Sequence, residues 1–335
     1  MSGKIRISVD AMGGDFAPGN EIDGSILAVT ETPSLEIILV GKEDVIKNEL
    51  SKRKNVPSGI SVVNADEVIT MEDSPTDTYK TKPNSSLAVA LTLQKNKEAE
   101  GTISAGNTGA VLTNSLLKLG RLKGVGRPTI GSIFPTSGET TMVFDVGASV
   151  DCKPKHLYEF AVMGSVYMEI IYNIQNPKVA LLSVGEEKSK GKEVTFEAYE
   201  FLEKSKLNFV GNVEGSDILK GKVNLIICDG FEGNVILKFA EGVLTFLKSS
   251  FKDFAEKSFI NKLKMGAMQG TLRTILSEFD YQKYGGVPLL GVNGVSIIGH
   301  GKSTPLAIKN MIFKAEEMIR KDVNKKIEQE LADFS

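Results

Sequence analysis

The chain has 335 residues, 41% hydrophobic and 24% charged, which is enough apolar content for a full globular core. Its 40 basic residues nearly balance 42 acidic ones, and it has no tryptophan. With no net basic field and few aromatic side chains, DNA and RNA are not expected partners.

The first strand-like run, Ile5-Arg6-Ile7-Ser8-Val9, starts at once, so no signal peptide is expected before the fold. Further strands are predicted at 35–40, 60–63, 101–104, 129–134, 141–144, 178–183, 207–210, 223–228 and 295–298. Between them the spacing predicts helices that include 85–96, 108–119, 154–171, 192–204 and 233–251. Strand-then-helix order predicts an α/β fold with a mostly parallel sheet covered on both faces. No Pro/Gly/Ser linker divides the chain, so 1–335 reads as one domain with an excursion at about 250–285. No run of ~18 apolar residues is present, so no span of a membrane is expected. Cys152 and Cys228 lie far apart and form no C-x-x-C, which fits a reducing cytoplasm; Cys228 reads as a small buried hydrophobe.

Polar turns follow six of these strands. They are Asp10-Ala11-Met12-Gly13-Gly14-Asp15, Gly106-Asn107-Thr108-Gly109, Asp145-Val146-Gly147-Ala148, Gly185-Glu186-Glu187, Asp229 to Asn234, and Gly299-His300-Gly301. In a parallel sheet all six are expected on one carboxyl edge, where α/β enzymes place their sites. In Ser104 to Ala110 the glycines permit close backbone approach, and the helix that follows offers unpaired N–H groups to an anion. Gly106, Asn107, Thr108 and Gly109 are therefore the expected phosphate-binding residues, although Asn107 or Thr108 would also serve as an ordinary helix cap.

Nucleotide and metal signatures are absent. No G-x-G-x-x-G follows a strand, and Gly301-Lys302-Ser303 lacks the earlier glycine of a P-loop, which is Ser296 here. H-E-x-x-H, G-x-S-x-G and zinc spacings are missing too. A phosphoryl anion is expected without a nucleotide, cofactor or metal. His300, between two glycines, suits a site or a cap, whereas His156 at a helix start reads as structural. Lys190 stands before a helix, either to meet phosphate or as a surface lysine. Lys80 and Lys82 form a loop cluster suited to an acidic partner. From Lys257 to Ser277 four basic residues occur with no acidic one, and apolar residues that include Leu263, Met268 and Leu272 recur at helical spacing. Broken by Gly266 and Gly270, this pattern predicts two short amphipathic helices in a hairpin. Such a face packs on the body or a second subunit, or lies on an anionic membrane.

Five segments taken together resemble one family, the PlsX-type phosphate acyltransferases. They are Val9 to Asp15, Ser104 to Ala110, Gly211-Asn212-Val213-Glu214-Gly215, Cys228 to Val235, and Tyr284 to Gly291. The resemblance runs from about residue 4 to residue 320. Ser149 and Ser183 stand where the family usually has Asn, and Pro83 interrupts a run that is usually more basic.

The resemblance implies a Rossmann-like α/β/α fold related to phosphotransacetylases and to the isocitrate and isopropylmalate dehydrogenases. It implies that inorganic phosphate attacks the thioester of a long-chain acyl-carrier protein, giving acyl phosphate for phospholipid synthesis. It also implies a cytoplasmic homodimer held peripherally on the inner face of the cell membrane through the hairpin. On that basis Lys190 is expected to neutralise phosphate, His300 and Asn234 to polarise the thioester or protonate the thiolate, and Asp229 to orient them. Lys80 and Lys82 are expected to meet the acidic carrier. The competing readings are a phosphotransacetylase-like enzyme acting on coenzyme A thioesters, a non-catalytic membrane scaffold of lipid synthesis, and an NAD-dependent dehydrogenase of the same broad fold.

Overall fold

A computed structural model describes residues 4–276 and 285–332 of the chain. The N-terminal part alternates β1 (Ile5–Asp10), α1 (Gly19–Glu31), β2 (Leu35–Gly41), α2 (Glu43–Ser51) and β3 (Ile60–Asn64). It continues through the short α3 (Thr78–Thr81), α4 (Ser86–Lys95), β4 (Gly101–Ser104) and α5 (Thr108–Leu119). The middle holds β5 (Thr129–Phe134), β6 (Thr141–Phe144), α6 (Pro154–Ile171), β7 (Val179–Leu182), α7 (Glu193–Glu203), β8 (Phe209–Val213) and β9 (Leu225–Ile227). Two helices follow, α8 (Gly230–Glu256) and α9 (Phe259–Leu276). The chain then returns through β10 (Val287–Leu290), β11 (Val295–Ile298), α10 (Pro305–Arg320) and α11 (Val323–Ala332).

All described strands join one sheet in the order β3-β2-β1-β4-β11-β10-β5-β6-β9-β7-β8. Consecutive strand residues enter opposite cores: Phe144 and Ile227 pack on one face of the sheet, Val143 and Ile226 on the other. Both faces are therefore covered, which is why these strands read as continuous apolar runs rather than as alternating ones.

Strand direction corrects one expectation. β3, β2, β1, β4 and β11 are mutually parallel, as are β6, β9, β7 and β8. The antiparallel pairs β11–β10, β10–β5 and β5–β6 separate these blocks, so the second block runs opposite to the first. The six polar turns thus do not share an edge. Those after β1, β4 and β11 lie at one edge, and those after β6, β7 and β9 lie at the other.

The expected hairpin is differently built. The described part of the 257–277 segment, residues 257–276, is not a pair of short helices broken at Gly266 and Gly270; both glycines lie inside α9, and α8 is its partner. Neither glycine would place a Cβ against anything, so at an exposed position glycine lowers helix propensity without ending the helix. Residues 277–284 of the excursion, with Phe279 and Tyr284, lie outside the described residues, as do the side chains of Arg273, Ile275 and Leu276.

Candidate functional site

At the first edge, a buried carboxyl ties two turns together and backbone hydrogen bonds add a third. Asp10 ends β1 at 3% exposure. It accepts the Ser104 hydroxyl at 2.7 Å and the Met12 N–H at 3.3 Å, while Ser104 Oγ accepts the Gly106 N–H at 3.1 Å. Burial pushes the Asp10 carboxyl above its ordinary pKa, and hydrogen bonds from Ser86 and Ser104 partly offset that. A Cβ on Gly13 would lie 2.5 Å from Asp10 Oδ2 and 3.0 Å from the Gly106 nitrogen, so the β1 and β4 turns touch only because residue 13 is glycine. The β11 turn closes the group: Gly299 N–H donates to Ser104 O at 2.8 Å, and Asp15 N–H donates to Gly301 O at 2.8 Å.

α5 opens into this group. Asn107 is its cap, accepting the Ala110 N–H at 3.1 Å. Asn107 Nδ2 also lies within 3.3–3.4 Å of the carbonyls of Thr70, Met71 and Asp73. Its side chain therefore shapes the turn and clamps the neighbouring loop. Ahead of the cap bond, the amides of Thr108 and Gly109 find no acceptor among the described residues, and Thr108 is exposed. This helix end carries about half a positive charge. His300 is exposed beside it, and its Nδ1 accepts the Lys302 N–H at 3.1 Å, which assigns the neutral ring's proton to Nε2. Lys302, also exposed, puts a cation on the same turn.

Lys190, Asp229 and Asn234 form a second group at the opposite edge. Asp229 caps α8 by accepting the Phe231 N–H, and it accepts the Cys152 N–H; both bonds are 2.8 Å. Asn234 lies against Gly147, whose φ of +127° suits glycine. Beneath them the buried Asp145 carboxyl accepts N–H groups from Ile130 (2.9 Å), Ala148 (3.1 Å) and Ser149 (2.6 Å). Burial pushes its pKa up to about 6 against the pull of these bonds. Lys190 is exposed in the β7–α7 loop.

Six strand-to-strand steps separate β4 from β7, or about 29 Å across the sheet, in addition to the opposite edges. Within one chain, then, the structure does not bring Lys190, Asp229 or Asn234 to Gly106, Asn107, Thr108, Gly109 and His300. The expectation that all six turns share one edge failed because strand order and polarity are long-range properties, set by the β10 and β5 pairings. Of the two lysines expected to meet a carrier, Lys80 is exposed, but Lys82 donates to Asp73 at 2.5 Å and to Val68 O at 2.8 Å. On the hairpin, Leu263 and Met268 are 60% and 51% exposed and Leu272 is half-buried.

Sequence reasoning missed the organising roles of Asp10, Ser104 and Asp145; an acid or serine at the last position of an apolar strand was the available signal. It also missed Glu21. That carboxyl is 2% exposed, its Oε2 has no hydrogen-bond partner among the described residues, and burial pushes its pKa up to about 8. Nothing local marked Glu21, which lies in an unremarkable stretch of helix.

A doubly covered sheet whose glycine-rich turns lie beside unpaired helix amides defines an α/β protein with an arrangement suited to an anion. Among the described residues, no group of three or more His, Cys, Asp or Glu side chains is placed to hold a metal ion. The fold matches a phosphotransacetylase from Streptococcus pyogenes with a TM-score of 0.64 at 15% identity, covering 95% of this chain and 94% of that one. A EutD phosphotransacetylase from Staphylococcus aureus matches at 0.58 and 14% identity, covering 94% of each chain. At such identities the likeness is one of fold alone.

The sequence narrows this to a family. Residues 5–326 match the family described as fatty acid synthesis protein. The chain is 46% identical over 332 residues to the phosphate acyltransferase of a Nitratiruptor species, covering 99% of both. It is 47% identical over 333 residues to that of Chlorobaculum parvum, covering 96% of this chain and 98% of that one. The chain belongs to the phosphate acyltransferase family.

Proposed function

We propose that this enzyme transfers a long-chain acyl group from the thioester of an acyl-carrier protein to inorganic phosphate, giving acyl phosphate for phospholipid synthesis. The observation that supports this reading is the pair of unpaired amides at Thr108 and Gly109, on the turn whose Ser104 carbonyl accepts the Gly299 N–H of the His300 turn. Phosphate bound there accepts both N–H groups and is drawn by the helix dipole and by Lys302. One of its oxygens attacks the thioester carbonyl. The tetrahedral oxyanion accepts the His300 Nε2–H and then collapses, expelling the thiolate. Because phosphate is the nucleophile and the thioester is already activated, no covalent enzyme intermediate is required. Positioning the two reactants can supply roughly 7–11 kcal/mol, and one preorganised oxyanion donor about 2.7–4 kcal/mol.

We assign a homodimer as the working form. Lys190 reaches a phosphate at the α5 turn only from a second subunit, given its place at the opposite edge of its own sheet. The exposed apolar hairpin, with Phe239 at 73%, Phe246 at 69% and Phe259 at 76% exposure, supports a role in dimer packing and in peripheral contact with the inner face of the cell membrane. No described helix is long and apolar enough to cross a membrane.

The test follows thiol release from acyl-carrier protein and from acyl-coenzyme A, each with and without phosphate. Phosphate-dependent release from the carrier substrate is expected. Release from coenzyme A thioesters alone would point to a phosphotransacetylase-like enzyme, and release from neither to a scaffold.

A further inference from the structure

At the far end of α5 from the phosphate turn lies a surface that none of the roles above uses. Leu116, Leu117, Gly120, Arg121, Gly126, Arg127 and Pro128 line a hollow of about 350 Å³. Leu117 is 51% exposed at its floor. Arg121, Lys123 and Arg127 are exposed around it, with Lys155 on the adjoining helix start. Among the described residues, Arg121 donates only to the carbonyl of Gly126 (2.6 Å), and no ion pair holds Arg121, Lys123 or Arg127. The acids nearby are already engaged. Glu159 is buried and accepts the Gly126 N–H at 2.7 Å, and Glu328 accepts the Lys123 N–H at 3.1 Å. The concentration of positive charge is felt by its neighbour: burial first, then Arg127, Lys153, Lys155 and Arg121, hold His156 below its ordinary pKa.

The hollow also connects to the site. Gly109, Leu112, Thr113 and Leu116 are half-buried, and their spacing of three and four residues makes one stripe along α5. α5 begins at Thr108, and from Gly109 to Leu116 the stripe covers about 10 Å of helix, joining the hollow to the unpaired amides.

Resting on the acyl-carrier reading, we propose that the Arg121–Lys123–Arg127 rim and its leucine floor dock the acidic carrier protein, whose thioester-bearing arm lies along the α5 stripe to reach Thr108. Charge complementarity selects this occupant: an apolar floor ringed by uncommitted cations matches an acidic helix with an apolar face. A second copy of this chain, slightly acidic overall, brings no comparable charge. The surface replaces the Lys80–Lys82 loop as the carrier contact, since Lys82 is already paired with Asp73.

The test compares wild type with Lys123→Glu/Arg127→Glu and with the milder Lys123→Gln/Arg127→Gln, using acyl-carrier protein and a small acyl-pantetheine thioester as substrates. The expected result is a KM for acyl-carrier protein raised about tenfold or more in the Glu variant and less in the Gln variant, with kcat and acyl-pantetheine turnover unchanged. An unchanged KM for the carrier substrate overturns the proposal. So does an equal loss on both substrates, which would place the residues in the reaction machinery rather than in docking. A raised KM in Lys80→Glu/Lys82→Glu with a silent rim returns the contact to that loop. Failure of wild type to release thiol from acyl-carrier protein in the presence of phosphate would sink the underlying reading instead, before any variant is made.

Discussion

The Asp10 carboxyl accepts the Ser104 hydroxyl at 2.7 Å, joining the ends of β1 and β4 where the candidate phosphate turn begins. Because Ser104 Oγ also accepts the Gly106 N–H, this one hydroxyl satisfies a buried acid and shapes the loop. Ser104→Ala leaves both groups without that partner, at 1% exposure. The expected cost is about 1–3 kcal/mol of unfolding free energy, measured by urea denaturation, together with a raised KM for phosphate. An unchanged phosphate KM would show that the turn keeps its shape without the bond.

Glu21 makes stability depend on pH. Its folded carboxyl is pushed from 4.5 up to about 8 by burial, with the Asp10 charge adding to the effect. The folded state therefore holds a proton that the unfolded state releases. The associated stability is fully present below pH 4.5 and is lost as pH rises through about 8. Between those limits the slope approaches roughly 1.4 kcal/mol per pH unit. In Glu21→Gln the unfolding free energy is expected to lose this part of its decline. Asp145, pushed up to about 6, leaves a smaller slope of the same sign at lower pH. Identical pH profiles for variant and wild type would contradict the assignment.

The separation of Lys190 from His300 predicts complementation between subunits. His300→Ala and Lys190→Ala are each expected to be inactive alone. Subunit exchange between them should restore about a quarter of wild-type activity, because half the dimers are mixed and each mixed dimer holds one intact site. A mixture that stays inactive despite verified exchange would mean that Lys190 does not serve the partner's phosphate turn.

Much of this architecture was legible from local signals. β4, β5, β6 and β11, and helices α5 and α6, begin and end where apolar period and turn residues put them. β10 was missed: Val287-Pro288-Leu289-Leu290 is short and proline-bearing, and pairing on both sides makes it a strand. That same strand begins the reversal of sheet polarity. Residues within one turn, such as Gly106 to Gly109, could therefore be grouped from sequence, whereas Lys190 and Asn107 could not be separated. Their separation depends on which strands pair, and no local pattern encodes that.

The hairpin makes its own prediction. Phe239, Phe246, Phe259, Leu263 and Met268 expose apolar surface, and Lys257, Lys262 and Lys264 are exposed beside them. Phe259→Asp/Leu263→Asp is expected to reduce co-sedimentation with vesicles containing anionic lipid by about tenfold, since apolar insertion and cationic attraction act together. Retained binding with an altered sedimentation mass would assign the face to dimer packing alone.

The most direct test of the central claim is detection of the product itself. Carrier protein bearing its acyl thioester, inorganic phosphate and the enzyme are incubated together, and the acyl phosphate formed is trapped with hydroxylamine as the hydroxamate, after subtracting the hydroxamate and thiol that hydroxylamine forms directly from the thioester in an enzyme-free control. The account predicts hydroxamate in amounts equal to the free carrier thiol released, at a rate that saturates with phosphate and is lost in His300→Ala. Thiol release at the same rate without phosphate, or release without trapped acyl phosphate, would contradict it.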